Sequence, residues 1–321
     1  MAKKISLKNP ELYVKVPGTS ANLGPGFDIL GLSLEIYNEF YFSFGKDCNY
    51  NLKFLDGTPL PFPIEDNLIK VGYSKYFEKY LPEKEIIPFD TVMALSLPLK
   101  GGLGSSASAL VTGFKAAEYA HKKYYKKEKF PPLDSILYEL AMLEGHPDNT
   151  TPAYIGGFVF SFFSEDKLIY FQNKFPSSVK LFLFIPEIQI ETNHSRKKLP
   201  PNYPVNDVVF NMARIGTWVY FLKSKKYKDL ELAVEDRIHT PYRIKNEPAL
   251  NSAIEIIKKL GACYSLSGSG PTLLIYCPKD KSKKFIEDFQ KKVKNSSLKN
   301  TKYKILPIKT CNSGTRSKNL S

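Results

Sequence analysis

The sequence predicts an α+β protein built in two parts, and three observations carry that expectation. An alternating run, Thr91 to Leu97, leads into Pro98-Leu99-Lys100-Gly101-Gly102-Leu103-Gly104-Ser105-Ser106-Ala107. Beyond it Leu110, Val111, Phe114, Ala117 and Ala120 recur at helical spacing, which reads as strand, glycine loop, helix. Near the other end the pattern is strand, turn, strand, helix, strand, which suggests a small antiparallel α+β sandwich. The length of 321 residues, 43% of them hydrophobic, suits one large domain or two ordinary ones with a substantial core. The boundary is expected near 165–175, giving parts 1–168 and 169–321.

Taken in order, Tyr13 to Pro17 reads as a strand that runs into a loop, Gly18 to Asp28, rich in glycine and interrupted by Pro25. Ile36 to Phe44 and Tyr50 to Leu55 read as strands, and Pro59, Pro61 and Pro63 mark a connector. Asp66-Asn67 precedes a helical pattern (Leu68, Val71, Tyr76, Phe77, Tyr80) closed by Pro82, so Asn67 by itself is a candidate N-cap. Asp134 is the expected N-cap of a helix over Ser135 to Glu144, whose buried face is Leu137, Leu140 and Ala141. Its end is expected to be a turn, Glu144-Gly145-His146-Pro147-Asp148-Asn149. Strands follow at Gly157 to Phe163, Leu168 to Phe171 and Val179 to Ile185. A polar segment, Glu191 to Pro200, precedes a helix over Asp207 to Leu222 that holds the only tryptophan, Trp218. Pro248 begins a helix that Gly261 ends. The turn Ser267-Gly268-Ser269-Gly270-Pro271, a strand over Thr272 to Cys277, a basic helix and a strand over Tyr303 to Ile308 complete the pattern.

The net charge is +14, and residues 277–321 hold 13 Lys/Arg against 3 Asp/Glu. There Phe285, Phe289 and Val293 share one helical face, which leaves the lysines on a solvated outer face. A similar basic run lies at Lys122 to Lys129. Charge placed this way argues against nucleic acid as the first reading. No run of 18 apolar residues is present, so no membrane span is expected. The start, Met1 to Ser6, lacks the apolar stretch of a signal peptide. Cys48, Cys263, Cys277 and Cys311 are scattered without metal-ligand spacing and read as reduced thiols of a cytoplasmic protein.

The glycine loop carries the chemistry. Gly101, Gly102 and Gly104 leave the backbone bare where it enters a helix, so its N–H groups can converge on an anion where the helix adds about half a positive charge. Ser105 and Ser106 can bond phosphate oxygens or hold a metal ion. The loop is neither a Walker A sequence, since no Gly-Lys-Ser/Thr follows, nor a G-x-G-x-x-G fingerprint. Asn22 and Asp28 in the first loop could bind a polar ligand, and Glu144, His146, Asp148 and Asn149 put four more ligand groups within six residues.

Three polar glycine loops, at 18–28, 101–107 and 267–271, together with 144–149, resemble the GHMP kinase superfamily. Its signature is a proline-led first motif, a Pro-x-x-x-Gly-Leu-Gly-Ser-Ser-Ala phosphate loop and a late Gly-Ser-Gly motif, found here in that order over most of the chain. Thr19 to Asp28, Glu144 to Asn149, Thr192 with Arg196 and Leu199-Pro200, and Ser265 to Thr272 are similar to its homoserine kinase branch. Val16, Ser108 and Thr150-Thr151 stand where that branch usually carries other residues. The resemblance implies a ribosomal-protein-S5-domain-2-like N-terminal domain and a ferredoxin-like C-terminal α/β sandwich. It implies ATP-dependent phosphorylation of the L-homoserine hydroxyl, giving O-phospho-L-homoserine and ADP in threonine biosynthesis.

By the same resemblance Pro98, Lys100, Gly101, Gly102, Leu103, Gly104, Ser105, Ser106 and Ala107 cradle ATP, Asn67 lies at the adenine, and Ser106 with Glu144 holds Mg²⁺. Arg196 and Arg243 would fork the substrate carboxylate. Asn22 and Asp28 would meet the alcohol and ammonium ends, with His146, Asp148, Asn149 and Thr192 completing the site. Asn22, Asp28, Glu144 and Asp148 form the implied catalytic group, and neither Asp148 nor His146 is expected to act as a strong base. A homodimer is also implied. Two alternatives remain: a sister kinase acting on mevalonate or a methylerythritol intermediate, and a basic, non-catalytic RNA binder.

Overall fold

Leu12, Val14 and Val16 alternate with more exposed neighbours along an extended run, and all three are buried. That period of two fixes one face of β1 (Leu12–Ala21) against the core. The computed structural model describes residues 7–58, 60, 67–187 and 192–320, with side chains for all of these except 192–194. Met1 to Ser6, the connector prolines Pro59, Pro61 and Pro63, and Asp66 lie outside the described residues.

After β1 come β2 (Leu30–Phe44), β3 (Leu52–Phe54), α1 (Leu68–Tyr80), β4 (Phe89–Ala94), α2 (Ser105–Tyr124), α3 (Leu133–Glu144), α4 (Pro147–Ile155), β5 (Phe158–Ser164) and β6 (Lys167–Asn173). The chain continues through β7 (Val179–Pro186), α5 (Thr192–Lys197), α6 (Val205–Ser224), α7 (Tyr227–Ala233), α8 (Thr240–Ile244) and α9 (Pro248–Lys259). It closes with β8 (Cys263–Leu266), β9 (Leu273–Pro278), α10 (Phe285–Lys294), β10 (Tyr303–Ile308) and β11 (Arg316–Asn319). One sheet runs β11-β1-β2-β4-β3, with β5 on the start of β2 and β6 beyond it. The other runs β10-β7-β9-β8 and is antiparallel throughout.

Three apolar layers hold this together. Phe40, Phe42, Tyr73, Phe77, Phe89, Val111 and Phe114 pack α1 and α2 on the first sheet. Phe182, Phe184, Ile257, Phe285, Phe289 and Val293 pack α9 and α10 on the second, each large side chain contributing roughly 1.5–3 kcal/mol by burial. Between them, Leu23, Leu30 and Leu32 of the first half meet Leu181, Tyr276, Phe221 and Trp218 of the second. The Trp218 indole N–H donates to the Leu23 carbonyl across that layer at 3.1 Å. The two sheets therefore share a core. No helix among the described residues is long and apolar enough to cross a membrane, and the four cysteines are free thiols.

Several boundaries differ from the sequence expectation. β1 continues through Gly18, Thr19 and Ser20, so the first loop starts at Asn22; the strand survives its glycine because a bulge at Pro17/Gly18 keeps it paired with β2. Asp134 is not the N-cap of α3. Pro132 holds that place, Asp134 lies in the first turn, and its carboxylate accepts the Tyr170 hydroxyl at 3.0 Å. The segment after Glu144 is a junction of two helices rather than a turn. Gly145, left-handed at φ 86, ends α3, and Pro147 opens α4 at once, so Asp148 and Asn149 stand in a helical first turn. The polar segment before Pro200 contains α5, and α7, α8 and β11 were not anticipated. β11 is short and exposed, lacking the apolar alternation by which a strand is read; it joins the first sheet through backbone pairing with β1.

Candidate active site

The glycine loop needs its glycines for two separate reasons. Gly104, the N-cap of α2, is left-handed at φ 71, and a Cβ there would stand 2.0 Å from the Thr19 hydroxyl. Gly102 is left-handed at φ 75, and a Cβ would stand 2.3 Å from the Ser267 carbonyl oxygen. The first and third loops thus press on the middle one. The Thr19 N–H donates to the Leu103 carbonyl at 3.1 Å, and the Ser267 hydroxyl donates to the Gly102 carbonyl at 2.6 Å. The Gly268 N–H donates to the Ala21 carbonyl at 3.1 Å, and the Asn22 amide donates to the Gly268 carbonyl at 3.0 Å.

This clamp opens on a cleft of about 760 Å³. Lys100, Gly101, Gly102, Gly104, Ser105 and Ser106 line it at the mouth of α2. Leu68, Leu99 and Ala109 add an apolar wall. Asn67 lines it too, but its side-chain oxygen caps α1 by accepting the Ile69 N–H at 2.9 Å. Pro98, Leu103 and Ala107 do not line the cleft: Leu103 and Ala107 are fully buried, and Pro98 packs behind Gly101.

The remaining lining includes six ionisable side chains, Asp28, Glu144, His146, Asp148, Arg196 and Arg243. The Ser106 hydroxyl donates to the Glu144 carboxylate at 2.9 Å, joining the start of α2 to the end of α3. Surrounding protein raises the Glu144 carboxyl above the usual range, against the pull of His146 and Ser106, although its tip is open to the cleft. Nδ1 of His146 lies 2.6 Å from the buried Asp148 carboxylate. Burial disfavours the imidazolium, but Asp148, then Glu144 and Asp28, outweigh it and push His146 up to about 9. Ligand atoms of Asp28, His146 and Asp148 all lie within 4.8 Å of one another.

Arg196, from α5, meets the Asp28 carboxylate through three contacts of 3.0–3.1 Å. Arg243, from α8, is 4% exposed, and its Nη1 donates to the Gly268 carbonyl at 2.8 Å. Burial and the neighbouring Arg196 guanidinium push Arg243 down to about 10, still a cation near neutrality. Both guanidinium carbons sit over one ring, Phe27, at 5.2 and 5.3 Å from its centroid. The first-loop residues Asn22 and Asp28 are left-handed, at φ 69 and φ 61, a conformation their side chains tolerate. The Asn22 side-chain oxygen accepts the Asp28 N–H at 3.0 Å, which closes the loop. The Asn149 side-chain oxygen is engaged by the Thr19 hydroxyl at 2.7 Å. Thr192 falls in α5, with its side chain outside the described residues.

Sequence reasoning brought most of these groups to one place but overlooked Phe27, the apolar wall and His239. Phe27 lies within Thr19 to Asp28 and has no polar group to mark it for a role. His239 and Arg243 are four residues apart, the spacing of helix neighbours, and that was the available signal.

The model of the GHMP kinases N-terminal domain matches residues 67–157, and that of the GHMP kinases C-terminal domain matches 219–295. The homoserine kinase of Clostridium beijerinckii is 36% identical over 94% of this chain and 97% of its own. That of Carboxydothermus hydrogenoformans is 38% identical over 81% of this chain and 83% of its own. The crystal structure of homoserine kinase from Cytophaga hutchinsonii shares the fold, with a TM-score of 0.79 at 23% identity over 97% of this chain and 98% of that one. With both halves matched to one superfamily and likeness of this order along nearly the whole length, the chain belongs to the GHMP kinases and, within them, to the homoserine kinase family.

Proposed function

We propose that this chain moves the γ-phosphoryl group of ATP onto the side-chain hydroxyl of L-homoserine, giving O-phospho-L-homoserine and ADP for threonine biosynthesis. One observation carries the reading in the structure. A single cleft has a backbone cradle at a helix mouth and two arginines gathered over one ring, with Glu144 and Ser106 also lining it.

The N–H groups of Gly101 to Ser106 take the triphosphate, aided by the α2 dipole. Leu68, Leu99 and Ala109 cover the base beside Asn67. Arg243 and Arg196 take the amino acid's carboxylate, and Asp28 and Asp148 offset its ammonium. Ser106 and Glu144 fit Mg²⁺: both offer hard oxygen, and a cation beside Glu144 would favour the charged form that burial disfavours. When bound, the ion neutralises charge on the phosphates.

In the transfer, the substrate oxygen forms a bond to the γ-phosphorus as the bond to the bridging oxygen of ADP breaks. The hydroxyl proton leaves late, to a phosphoryl oxygen or solvent. The Asp148 carboxylate favours the protonated form of His146, which makes it a poor acceptor for that proton. Positioning and charge stabilisation then supply the rate, as a loose transition state permits.

We place the ATP-binding N-terminal domain in 1–168 and the C-terminal GHMP kinase domain in 169–321, and the protein in the cytoplasm as a homodimer. The exposed α6 residues Val205, Val209, Met212 and Val219 are the candidate face. The test is ADP release with Mg²⁺-ATP against a panel of L-homoserine, mevalonate and a methylerythritol-type alcohol. Release that depends on homoserine is expected; turnover only with another alcohol overturns the assignment.

A further inference from the structure

His239 is fully buried, belongs to none of the roles above, and meets the cleft only through Arg243, which lines it. Its Nε2 lies 2.8 Å from the Gly24 carbonyl and 3.3 Å from the Asp236 carboxylate, both of which can only accept a hydrogen bond from it or attract its proton. Its Nδ1 lies 3.3 Å from Nη1 of Arg243. A guanidinium has no lone pair to offer, so a proton on Nδ1 would face another proton. The ring is therefore the neutral tautomer with hydrogen on Nε2, and Nδ1 accepts from Arg243. The other side of the arrangement is fixed as firmly. Asp236 accepts the backbone N–H groups of Ile238, His239 and Thr240 and the Asn211 amide, which locks the chain just before α8.

Arg243 consequently has both Nη1 protons assigned, one to Nδ1 of His239 and one to the Gly268 carbonyl. No described residue bonds its Nη2, which remains for a ligand. Phe27 limits the other swing of the guanidinium, with its ring 5.6 Å from that of His239.

We propose that His239 is a positioning residue of the acid subsite, whose Nδ1 lone pair holds Nη1 of Arg243 so that Nη2 faces the substrate carboxylate. The proposal rests on the homoserine reading for the identity of that carboxylate.

Two substitutions separate this role from bulk packing. In His239→Asn the amide oxygen stands near the position of Nδ1 and can still accept from Arg243. In His239→Gln the amide reaches toward Gly24, and the acceptor for Arg243 is lost. The expected result is that His239→Gln raises the homoserine KM about 10-fold or more while the ATP KM stays within about 2-fold, as for a weakened charged hydrogen bond. His239→Asn should keep the homoserine KM within about 3-fold. Equal rises in both KM values for both variants, or an unchanged homoserine KM in His239→Gln, would overturn the proposal. Imidazole ¹⁵N shifts of the unsubstituted protein give an answer that does not depend on either variant folding. A neutral ring with a bare Nδ1 is expected at pH 7, and an imidazolium or the opposite tautomer overturns the Arg243 contact. If the unsubstituted protein shows no homoserine-dependent ADP release, the reaction assignment fails and the substrate half of the proposal with it, while the ¹⁵N result still decides the contact.

Discussion

Replacing Arg196 by alanine should separate acceptor binding from everything else. The guanidinium is paired with Asp28, yet the two side chains are 49% and 30% exposed. A pair that open to water is worth at most about 1 kcal/mol to the fold. In a chain of this size its loss should lower Tm by no more than about 2 °C. With substrate bound, the same guanidinium would share a carboxylate with Arg243 in a cleft from which water has been displaced. Truncating one partner of such a charged pair costs about 2–3 kcal/mol, which is about a 30- to 150-fold rise in homoserine KM. Among the described residues its side-chain partners are Asp28 and Phe27, and neither belongs to the loop at 101–107, so the ATP KM should move by less than about 3-fold. Arg196→Lys keeps the charge without the planar fork and should fall between. Steady-state ADP release with each substrate varied at saturating levels of the other gives both constants, and thermal unfolding gives Tm. Comparable rises in the two KM values would refute the role, as would a Tm loss as large as that of a core substitution.

Other consequences follow from the same geometry. Glu144→Ala removes the carboxylate that joins Ser106 and should cut kcat/KM on the order of 10²-fold or more without unfolding the protein; activity within a few-fold of the unsubstituted chain rules the role out. Gly102→Ala forces an L side chain into a left-handed position against the Ser267 carbonyl, and denaturant unfolding should show a loss of about 2 kcal/mol or more together with a raised ATP KM. His146, raised from 6.5 to about 9, adds stability that is fully present below pH 6.5 and is lost as pH rises through 9. The advantage over His146→Gln in unfolding free energy should therefore shrink by up to about 3 kcal/mol between those limits, and a flat difference would show that the Asp148 pair does not hold the proton.

What was legible in the sequence was local. Glycines entering an apolar helix, Pro248 opening a helix that Gly261 follows, and the Phe285–Phe289–Val293 face are decided by neighbours a few residues away, and each stands as expected. What was not legible depends on distant partners. Thr19 looked like loop because three glycines follow or precede it nearby, but its pairing with Ser33 in β2 keeps it in a strand. Asp134 resembled a cap until Tyr170, from a strand not adjacent in sequence, claimed its carboxylate. The pairing of Arg196 with Asp28 spans 168 positions and has no local trace, and Phe27 becomes a platform only when α5 and α8 both reach it.

The third loop explains how a donor phosphate and an acceptor alcohol can be held in register. One carbonyl, that of Gly268, accepts from Arg243 at 2.8 Å and from Asn22 at 3.0 Å, while the N–H of the same residue reaches Ala21. The preceding Ser267 hydroxyl holds Gly102 of the phosphate loop. The separation between cradle and guanidinium is therefore set by hydrogen-bonded backbone, with only one side chain in the path. Transfer without a strong base needs such a frame, because reacting atoms must sit about 3–3.5 Å apart and an error near 1 Å costs about 10²-fold. A displacement of 267–271 would move both ends of the cleft together, so changes there should raise both KM values, whereas changes at Arg196 should raise one.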